Sequence, residues 1–346
     1  MKKNTFEEDL EYIARYPLPY EMLNKKTVFI TGATGLIGYQ LVKSLLVIGE
    51  IQIIALVRNI DKVNKIYMDD DKEKIKFIEG DILEPIRIEE KIDYIFHCAA
   101  VTTSKIMIEK PVETLMTAVT GTNNVLELAK EKKCKSVVFV SSMEMYGSFS
   151  ELDKEVTEDM IGYIDPLKVR SNYPESKRLC ENMCIAYMEE FGVPVKIARL
   201  AQTFGAGILP WENRVFAQFA KSVINQQDIV LHTKGLSEGN YCYTRDCIIG
   251  LLTLLLKGIN GEAYNIVNPK SHTTISEMAN MVADKIADKK IKVLFDIPES
   301  NLFGYAADTK MKLNSDKLQK LGWKPEIGLE EAYKRMIACM TQNKSE

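Results

Sequence analysis

The sequence predicts an α/β fold: a doubly wound parallel sheet with helices on both faces, followed by a smaller C-terminal lobe. Three observations predict it. Short apolar runs alternate with amphipathic stretches from Thr27 to about Phe204. A glycine-rich turn, Thr31-Gly32-Ala33-Thr34-Gly35-Leu36-Ile37-Gly38, separates the first apolar run from the first long helix. Beyond Phe204 the rhythm breaks into short pieces at Gly205, Gly207, Pro210, Gly235, Gly239, Gly258, Gly261 and Pro269. Strands separated by helices form βαβ units, and these make parallel sheets.

Taken in order, residues 1–24 are an N-terminal extension. Thr5 is the expected N-cap of a short helix, with Glu7-Glu8-Asp9 placing negative charge in its first turn and Pro17 and Pro19 ending it. Tyr12, Ile13 and Tyr16 give this helix an apolar patch, open to two readings: a helix on the outside of the domain, or a subunit contact. Residues 25–204 hold the main sheet as a dinucleotide-binding domain, with return segments from the C-terminal part. Val28-Phe29-Ile30 is continuously apolar, as in a strand buried on both faces. Further strands are expected at 51–57, 76–78, 94–96, 136–140 and 195–198. Helices are expected at 36–48, at 112–132 and from Pro174 onward. The Lys- and Asp-rich stretch 69–76 reads as a solvated loop or strand edge. Residues 205–346 form mainly the smaller lobe.

Composition excludes several classes. The 346 residues carry 45 basic and 48 acidic side chains, a net charge of -3, which leaves no electrostatic footprint for nucleic acid. The longest apolar run, 247–256, falls short of the roughly 18–20 residues of a membrane span. The acidic stretch after Phe6 is unlike a signal peptide. Seven cysteines without a CxxC read as free thiols in a reducing cytoplasm, and three scattered histidines make no zinc site. His232 and His272 read as surface or loop residues, and Cys180 and Cys184 as small core residues.

The glycine turn carries the first chemistry. Gly32 permits the tight exit from the strand, Gly35 lets a pyrophosphate approach the backbone, and Gly38 lets helix and strand pack closely. Unpaired N–H groups at the helix start then face the phosphates. The spacing between an apolar strand and a helix predicts a Rossmann-type dinucleotide site lined by Gly32, Thr34, Gly35, Leu36, Ile37 and Gly38. The second strand ends Val57-Arg58-Asn59, with no acid to hold a ribose 2′-hydroxyl. Arg58 stands where a guanidinium accommodates a 2′-phosphate, so NADP is the expected cofactor, with NAD as the alternative.

Tyr173-Pro174-Glu175-Ser176-Lys177 puts a phenol and an ammonium on one helix face. A nearby cation favours the phenolate and is expected to lower the tyrosine pKa. Ser142, at the end of the fifth strand, supplies a hydroxyl to orient a substrate alcohol. Tyr39 and Lys43 repeat the spacing, but on the helix after the glycine turn, where it reads as incidental.

With these residues in place, the chain resembles the extended short-chain dehydrogenase/reductase superfamily, in its nucleotide-sugar epimerases, dehydratases and decarboxylases. Gly80-Asp81-Ile82 resembles the adenine-contacting turn, and His97-Cys98-Ala99-Ala100 the cofactor-lining segment. Ser142-Met143-Glu144-Met145-Tyr146-Gly147, Leu200-Ala201-Gln202-Thr203-Phe204-Gly205 and 317–325 match further family segments. The resemblance covers residues 25–340, and 172–188 look most like UDP-glucuronate decarboxylases.

The resemblance implies a mechanism. Tyr173 as phenolate takes the proton of a sugar hydroxyl at C4, hydride moves to the nicotinamide, Ser142 binds the same oxygen, and Lys177 binds the nicotinamide ribose. Arg58, Asp81, Ile82, Ala99 and Ala100 join the glycine turn, Tyr173 and Lys177 around the cofactor, with His97 lining it. Thr102, Gln202, Arg214 and Tyr241 are implied on the substrate side. Glu144 stands where dehydratases keep an acid/base group that removes water across C5 and C6. Met143 departs from the pattern, because a thioether cannot protonate a leaving hydroxyl. Gly239 stands where an Arg is usual, which argues against decarboxylation and leaves the diphosphate needing another cation. Arg214, Lys221, Lys234 and Arg245 are the candidates. Gln202 replaces a common Asn, and Trp211 reads equally as a cap on the base or as lobe packing.

The sequence therefore predicts an enzyme that oxidises a nucleotide-activated sugar at C4, as an epimerase or dehydratase, and that forms a homodimer. Two other readings stay open: an NADPH-dependent reductase of a keto-sugar or small carbonyl, and a dinucleotide-binding regulator without turnover.

Overall fold

The computed structural model describes residues 4–149, 154–298 and 309–342. The N-terminal Met1-Lys2-Lys3 lies outside them. The first part holds strands β1 (Thr27–Thr31), β2 (Gln52–Val57), β3 (Ile75–Glu79), β4 (Tyr94–His97), β5 (Ser136–Ser142) and β6 (Val195–Leu200). Its helices are α1 (Thr5–Arg15), α2 (Leu36–Ile48), α3 (Ile60–Ile66), α4 (Asp69–Lys72), α5 (Ser104–Glu109), α6 (Pro111–Lys132) and α7 (Asn172–Phe191). There follow β7 (Gln202–Phe204), α8 (Val215–Asn225), β8 (Ile229–Leu231), β9 (Glu238–Gly239), β10 (Tyr241–Tyr243) and α9 (Thr244–Lys257). The chain continues with β11 (Ala263–Ile266), β12 (Thr273–Thr274), α10 (Ile275–Met281), β13 (Val293–Phe295), α11 (Asp316–Gln319) and α12 (Leu329–Gln342).

Seven strands form one parallel sheet in the order β11-β6-β5-β4-β1-β2-β3. The doubly wound fold expected from the alternating pattern is present. Both faces of the sheet are covered, which is why its strands are apolar without alternation. Val28 and Ile30 of β1 join the core beneath α2 and α9, whereas Phe29 joins the core beneath α6 and α7. The seventh strand, β11, comes from the C-terminal part and pairs with β6. Trp323 locks this return: it is fully buried, and its indole N–H donates to the Asp246 carbonyl at 2.8 Å. The Asp246 carboxylate accepts from the Glu326 and Ile327 amides.

The N-terminal helix differs from its expected form. Its N-cap is Asn4, not Thr5: Asn4 Oδ1 accepts from the Glu7 amide at 2.9 Å, and the Glu7 carboxylate accepts from the Asn4 amide at 3.1 Å. A cap residue must lie outside the helix for its side chain to reach back to the third helical N–H, and Thr5 is already inside. The apolar patch makes contacts within the chain itself. Ile13 is fully buried in the chain's own core. The Tyr12 hydroxyl donates to Glu326, and the Arg245 guanidinium lies 3.9 Å from the Tyr12 ring centroid. The Tyr16 hydroxyl donates to the Gly322 carbonyl. Asp9, also buried, accepts from the Tyr243 hydroxyl and from Arg335 at 2.8 Å, tying α1 to β10 and α12.

One local expectation changes in detail and another holds. The stretch 69–76 contains the one-turn helix α4, which Lys43 holds through a 2.6 Å ion pair with Asp71. Tyr39 packs its ring against Phe6 and Tyr67. The second Tyr-Lys spacing is thus engaged in packing and pairing, as an incidental match should be.

His97 does not line the cofactor cradle with its ring; it is buried beneath it. The Thr31 hydroxyl oxygen accepts from the Cys98 and Ala99 amides, so its proton points to His97 Nδ1, 2.8 Å away. The ring proton then resides on Nε2 and donates to Thr122 Oγ1 at 3.2 Å. Burial, with the charge of Lys177, pushes the imidazole down from 6.5 to about 3. Between about pH 6.5 and pH 3 the unfolded chain binds a proton at this site that the folded chain does not. Stability should fall as pH drops through that window, by up to about 1.4 kcal/mol per pH unit from this group. Urea midpoints measured against pH should show a shallower acid loss in His97→Gln; an unchanged slope would remove the assignment.

Candidate active site

The strand order reverses between β1 and β4, so the loops leaving their carboxyl ends diverge and open a crevice there. The glycine turn occupies the β1 side. Gly32 has φ +73°, and a Cβ on it would lie 2.8 Å from the Ala99 nitrogen. A Cβ on Gly38 would lie 2.3 Å from the Gly32 carbonyl oxygen. A Cβ on Gly35 would meet only the Gly32 oxygen, at 3.3 Å, and would otherwise project into the open cradle. Gly35 also begins α2 with no side-chain cap, leaving the first helical amides free for an anion. The cradle therefore fits a dinucleotide pyrophosphate. Thr34 and Ile37 are half-buried around it, and Leu36 is buried.

The other cofactor-side residues take different places. Arg58 ends β2 with its side chain 66% exposed, and its guanidinium is 3.9 Å from Glu113. Asp81 Oδ1 accepts from the Leu83 amide. Ile82 turns its side chain into the core against Gly121 of α6, and its carbonyl accepts from Asn124. Ala99 and Ala100 are half-buried at the end of β4.

Ser142, Tyr173 and Lys177 meet where β5 ends against α7. The Ser142 hydroxyl lies beside the Tyr173 phenol and favours its ionised form. Lys177 is buried, donates from Nζ to the Val140 carbonyl at 2.7 Å, and lies 5.8 Å from the Tyr173 ring centroid. The expected lowering of the phenol does not occur in the protein by itself. Burial pushes Tyr173 up to about 12, the Glu144 carboxylate adds to the rise, and Ser142, Arg170 and Arg214 oppose it. Burial likewise pulls Lys177 below its usual value. Desolvation of a fully enclosed pair outweighs what an ammonium one helical turn away contributes.

Glu144 sits in a 3-10 turn, Met143–Tyr146, capped by Ser142. Its carboxylate accepts from Arg170 at 2.8 Å, and the guanidinium carbon is 6.0 Å from the Tyr173 ring centroid. Arg170 was not picked out from sequence. The signal available was a lone Arg three residues before the tyrosine, in a chain whose positive charge is mostly lysine.

On the other side of the crevice, Arg214 forms a bidentate pair with Glu212, at 2.9 and 2.6 Å. Glu212 also accepts from the Asn213 and Arg214 amides. Of the cations weighed from sequence, Arg214 is the one whose charge reaches Tyr173. Arg245 instead pairs with Asp246 and Glu326 beneath α1, and Lys221 donates to the Glu212 carbonyl. Gln202 opens β7 opposite Tyr241 of β10. Tyr241 is buried with its ring edge against Phe204, and Thr102 is exposed before α5. Trp211 is 46% exposed, with Lys62 Nζ 5.8 Å from its ring centroid, so it does not pack the C-terminal core. Met143 and Gly239, two of the departures from the family pattern noted above, are neighbours: a Cβ on Gly239 would lie 3.7 Å from the Met143 methyl. Among the described residues no cluster of His, Cys, Asp or Glu forms a metal site.

Comparison with known proteins agrees with this geometry. Residues 28–267 match the model of the NAD dependent epimerase/dehydratase family. UDP-glucuronic acid decarboxylase 1 of Danio rerio is 30% identical over 348 residues, covering 97% of this chain and 78% of that protein. The human dTDP-D-glucose 4,6-dehydratase is 25% identical over 335 residues, covering 92% of this chain and 91% of that protein. An epimerase from Methanothermobacter thermautotrophicus shares the fold, with a TM-score of 0.80 at 22% identity over 98% of this chain and 97% of that one. The cradle, the Ser142–Tyr173–Lys177 group and these matches together place the chain in the NAD dependent epimerase/dehydratase family, as an enzyme of the extended short-chain dehydrogenase/reductase type.

Proposed function

We propose that the chain oxidises a nucleotide-activated hexose at C4 and resolves the 4-ketone as an epimerase or dehydratase. The observation that carries this reading is the meeting of Ser142, Tyr173 and a buried Lys177 at the end of β5, on the sheet edge that also bears the glycine cradle. In this reading Gly32, Thr34, Gly35, Leu36, Ile37 and Gly38 hold the pyrophosphate, while Asp81, Ile82, Ala99 and Ala100 flank the rest of the cofactor. Residues 25–204 carry the cofactor side, and residues 205–346 most of the substrate side. A bound nicotinamide dinucleotide supplies the hydride acceptor and a ring charge that favours the phenolate. Tyr173 Oη then takes the C4 hydroxyl proton, Ser142 holds that oxygen, and the Lys177 ammonium stabilises the phenolate. Once C4 is a ketone, the C5 hydrogen becomes acidic, and the Glu144 carboxylate, oriented by Arg170, is the base beside it. Thr102, Gln202, Arg214 and Tyr241 flank the sugar nucleotide, and Arg214 opens from Glu212 to meet its diphosphate.

A neutral sugar suits this site better than a uronate. Met143 fills the space beside Gly239 with a thioether. The cations near Tyr173, Arg170 and Arg214, already face Glu144 and Glu212. A substrate carboxylate would have to displace one of those acids. This favours epimerisation or water loss over decarboxylation, although decarboxylases are among the similar proteins.

For the cofactor we propose NADP, on the exposed Arg58 at the end of β2 and the absence of an acid there. For the assembly we propose a homodimer through α6 and α7, which expose Val112, Leu115, Met116 and Leu179, with Val112 70% exposed. Among the described residues no helix is long and apolar enough to cross a membrane. The free cysteines support a reducing compartment, the cytoplasm.

Four measurements test these readings. Mass spectrometry after incubation with UDP-, GDP-, CDP- and dTDP-hexoses should show a new isomer or a loss of water. Tyr173→Phe should cut turnover by about 100-fold or more with cofactor binding retained, and Glu144→Gln should abolish water loss while sparing C4 oxidation. Loss of carbon dioxide from a uronate, or near-normal turnover by Tyr173→Phe, would overturn the assignment. Calorimetric titration should find NADP bound more tightly than NAD, with the difference reduced in Arg58→Ala; equal or tighter NAD binding discards the role of Arg58. Light scattering should report the mass of two chains, and a single-chain mass at micromolar concentration discards the α6–α7 interface.

A further inference from the structure

Beneath the proposed catalytic group lies an ion pair that the mechanism above does not use. Arg199 of β6 and Glu181 of α7 are both buried, with side chains 7% and 8% exposed. Arg199 Nε donates to both Glu181 oxygens, at 3.1 and 3.2 Å, and Nη2 donates to Oε2 at 2.7 Å. The same carboxylate accepts from Ser141 Oγ at 2.5 Å. Arg199 Nη1 donates to the Tyr146 hydroxyl at 3.0 Å and to the Glu158 carbonyl at 2.8 Å. The Tyr146 hydroxyl in turn donates to Asn265 of β11 at 2.8 Å.

The placement of these contacts is informative. Glu181 lies one helical turn beyond Lys177 and two beyond Tyr173, on the same side of α7. Ser141 immediately precedes Ser142. Tyr146 closes the turn that carries Glu144. Beside them, Arg178 of α7 donates to the carbonyls of Met145, Tyr146 and Gly162, at 2.7, 3.1 and 2.7 Å. One guanidinium–carboxylate couple thus meets the helix that bears Tyr173 and Lys177, the strand end that bears Ser142, and the turn that bears Glu144. A buried ion pair is weak evidence for stability, because apolar side chains of similar volume often replace it without loss. It does fix relative position, since its bonds form only in one arrangement of the three elements.

We propose that Glu181 and Arg199 are positioning residues that set the spacing between Ser142, Tyr173 and Glu144, acting through Ser141 and Tyr146. This rests on the catalytic reading of that group. Neither residue touches the substrate or cofactor side of the crevice. A shift of about 1 Å in such an arrangement is enough to reduce a rate about 100-fold.

The test uses the full-length protein with its nicotinamide dinucleotide bound, and replaces the pair by Glu181→Leu with Arg199→Met. The double variant should fold and bind the dinucleotide within about threefold of wild type. Its kcat should fall about tenfold or more, with KM little changed. The NMR titration of the ring-labelled Tyr173 phenol, assigned by its loss in Tyr173→Phe, should move to higher pH as Ser142 moves away from the phenol. Ser141→Ala, which removes one hydrogen bond and leaves the ion pair, should shift both readouts in the same direction by less. It decides the matter should the double variant fail to fold. A wild-type phenol titration and kcat in the folded double variant, or in Ser141→Ala where the double variant does not fold, overturns the proposal. So does a rise in KM with kcat unchanged. The phenol titration needs no sugar substrate. If wild-type protein turns over no nucleotide sugar, the functional reading fails while the titration still judges the positioning role.

Discussion

The close approach of β1 to the end of β4 is the constraint on which the rest of this structure depends. At Gly32 the backbone runs so near the Ala99 nitrogen that a methyl group would lie 2.8 Å from it. Thr31 stitches the same place with its hydroxyl, accepting from the Cys98 and Ala99 amides while His97 holds its proton from below. That seam sits where the strand order reverses, so one crevice receives the glycine turn on one side and the end of β5 on the other. Parallel pairing of β4 with β5 then brings Ser142 to the same edge, and α7 delivers Tyr173 and Lys177 over it. A wider seam would separate the cradle from the phenol.

Charge in this crevice is arranged in opposed pairs. Arg170 faces Glu144, and Arg214 faces Glu212. The phenol between them is dominated by burial, which holds it protonated in the protein alone. Such a site responds strongly to a cation placed on the phenol, because the surroundings screen it weakly. Met143 and Gly239 also form a neutral pair across the crevice wall.

The C-terminal part is held to the sheet by buried polar contacts as well as apolar ones. Asp246 and Trp323 fasten the segment before α12 to the start of α9. Asp9, Tyr243 and Arg335 fasten α1 to α12 and β10. Phe6 and Leu10 of α1 enter the core formed by α8, α10 and α12. The N-terminal helix therefore spans both cores and works as a strap, not as an appendage. Gly207, with φ +73° and packed against Phe6 and Gln40, shows how closely the strap lies on the crossing between the two parts.

By itself the sequence determined strands β1 to β6 of the sheet, the glycine cradle and the Ser142–Tyr173–Lys177 group. Each is written in a short window: a continuous apolar run in β1, three glycines between strand and helix, and one helical turn between phenol and ammonium. Fine capping was less legible, because Asn4 and Thr5 are both good caps and only the path of the chain chose between them. Tertiary structure alone decided the rest. Arg170 with Glu144, Met143 with Gly239, Glu181 with Arg199, and Asp9 with Arg335 join segments far apart in the chain, and no local pattern records such meetings. It also reversed the sign expected for the phenol. Spacing shows that an ammonium is near, but only packing shows how completely water is excluded, and at Tyr173 the loss of water is the larger effect.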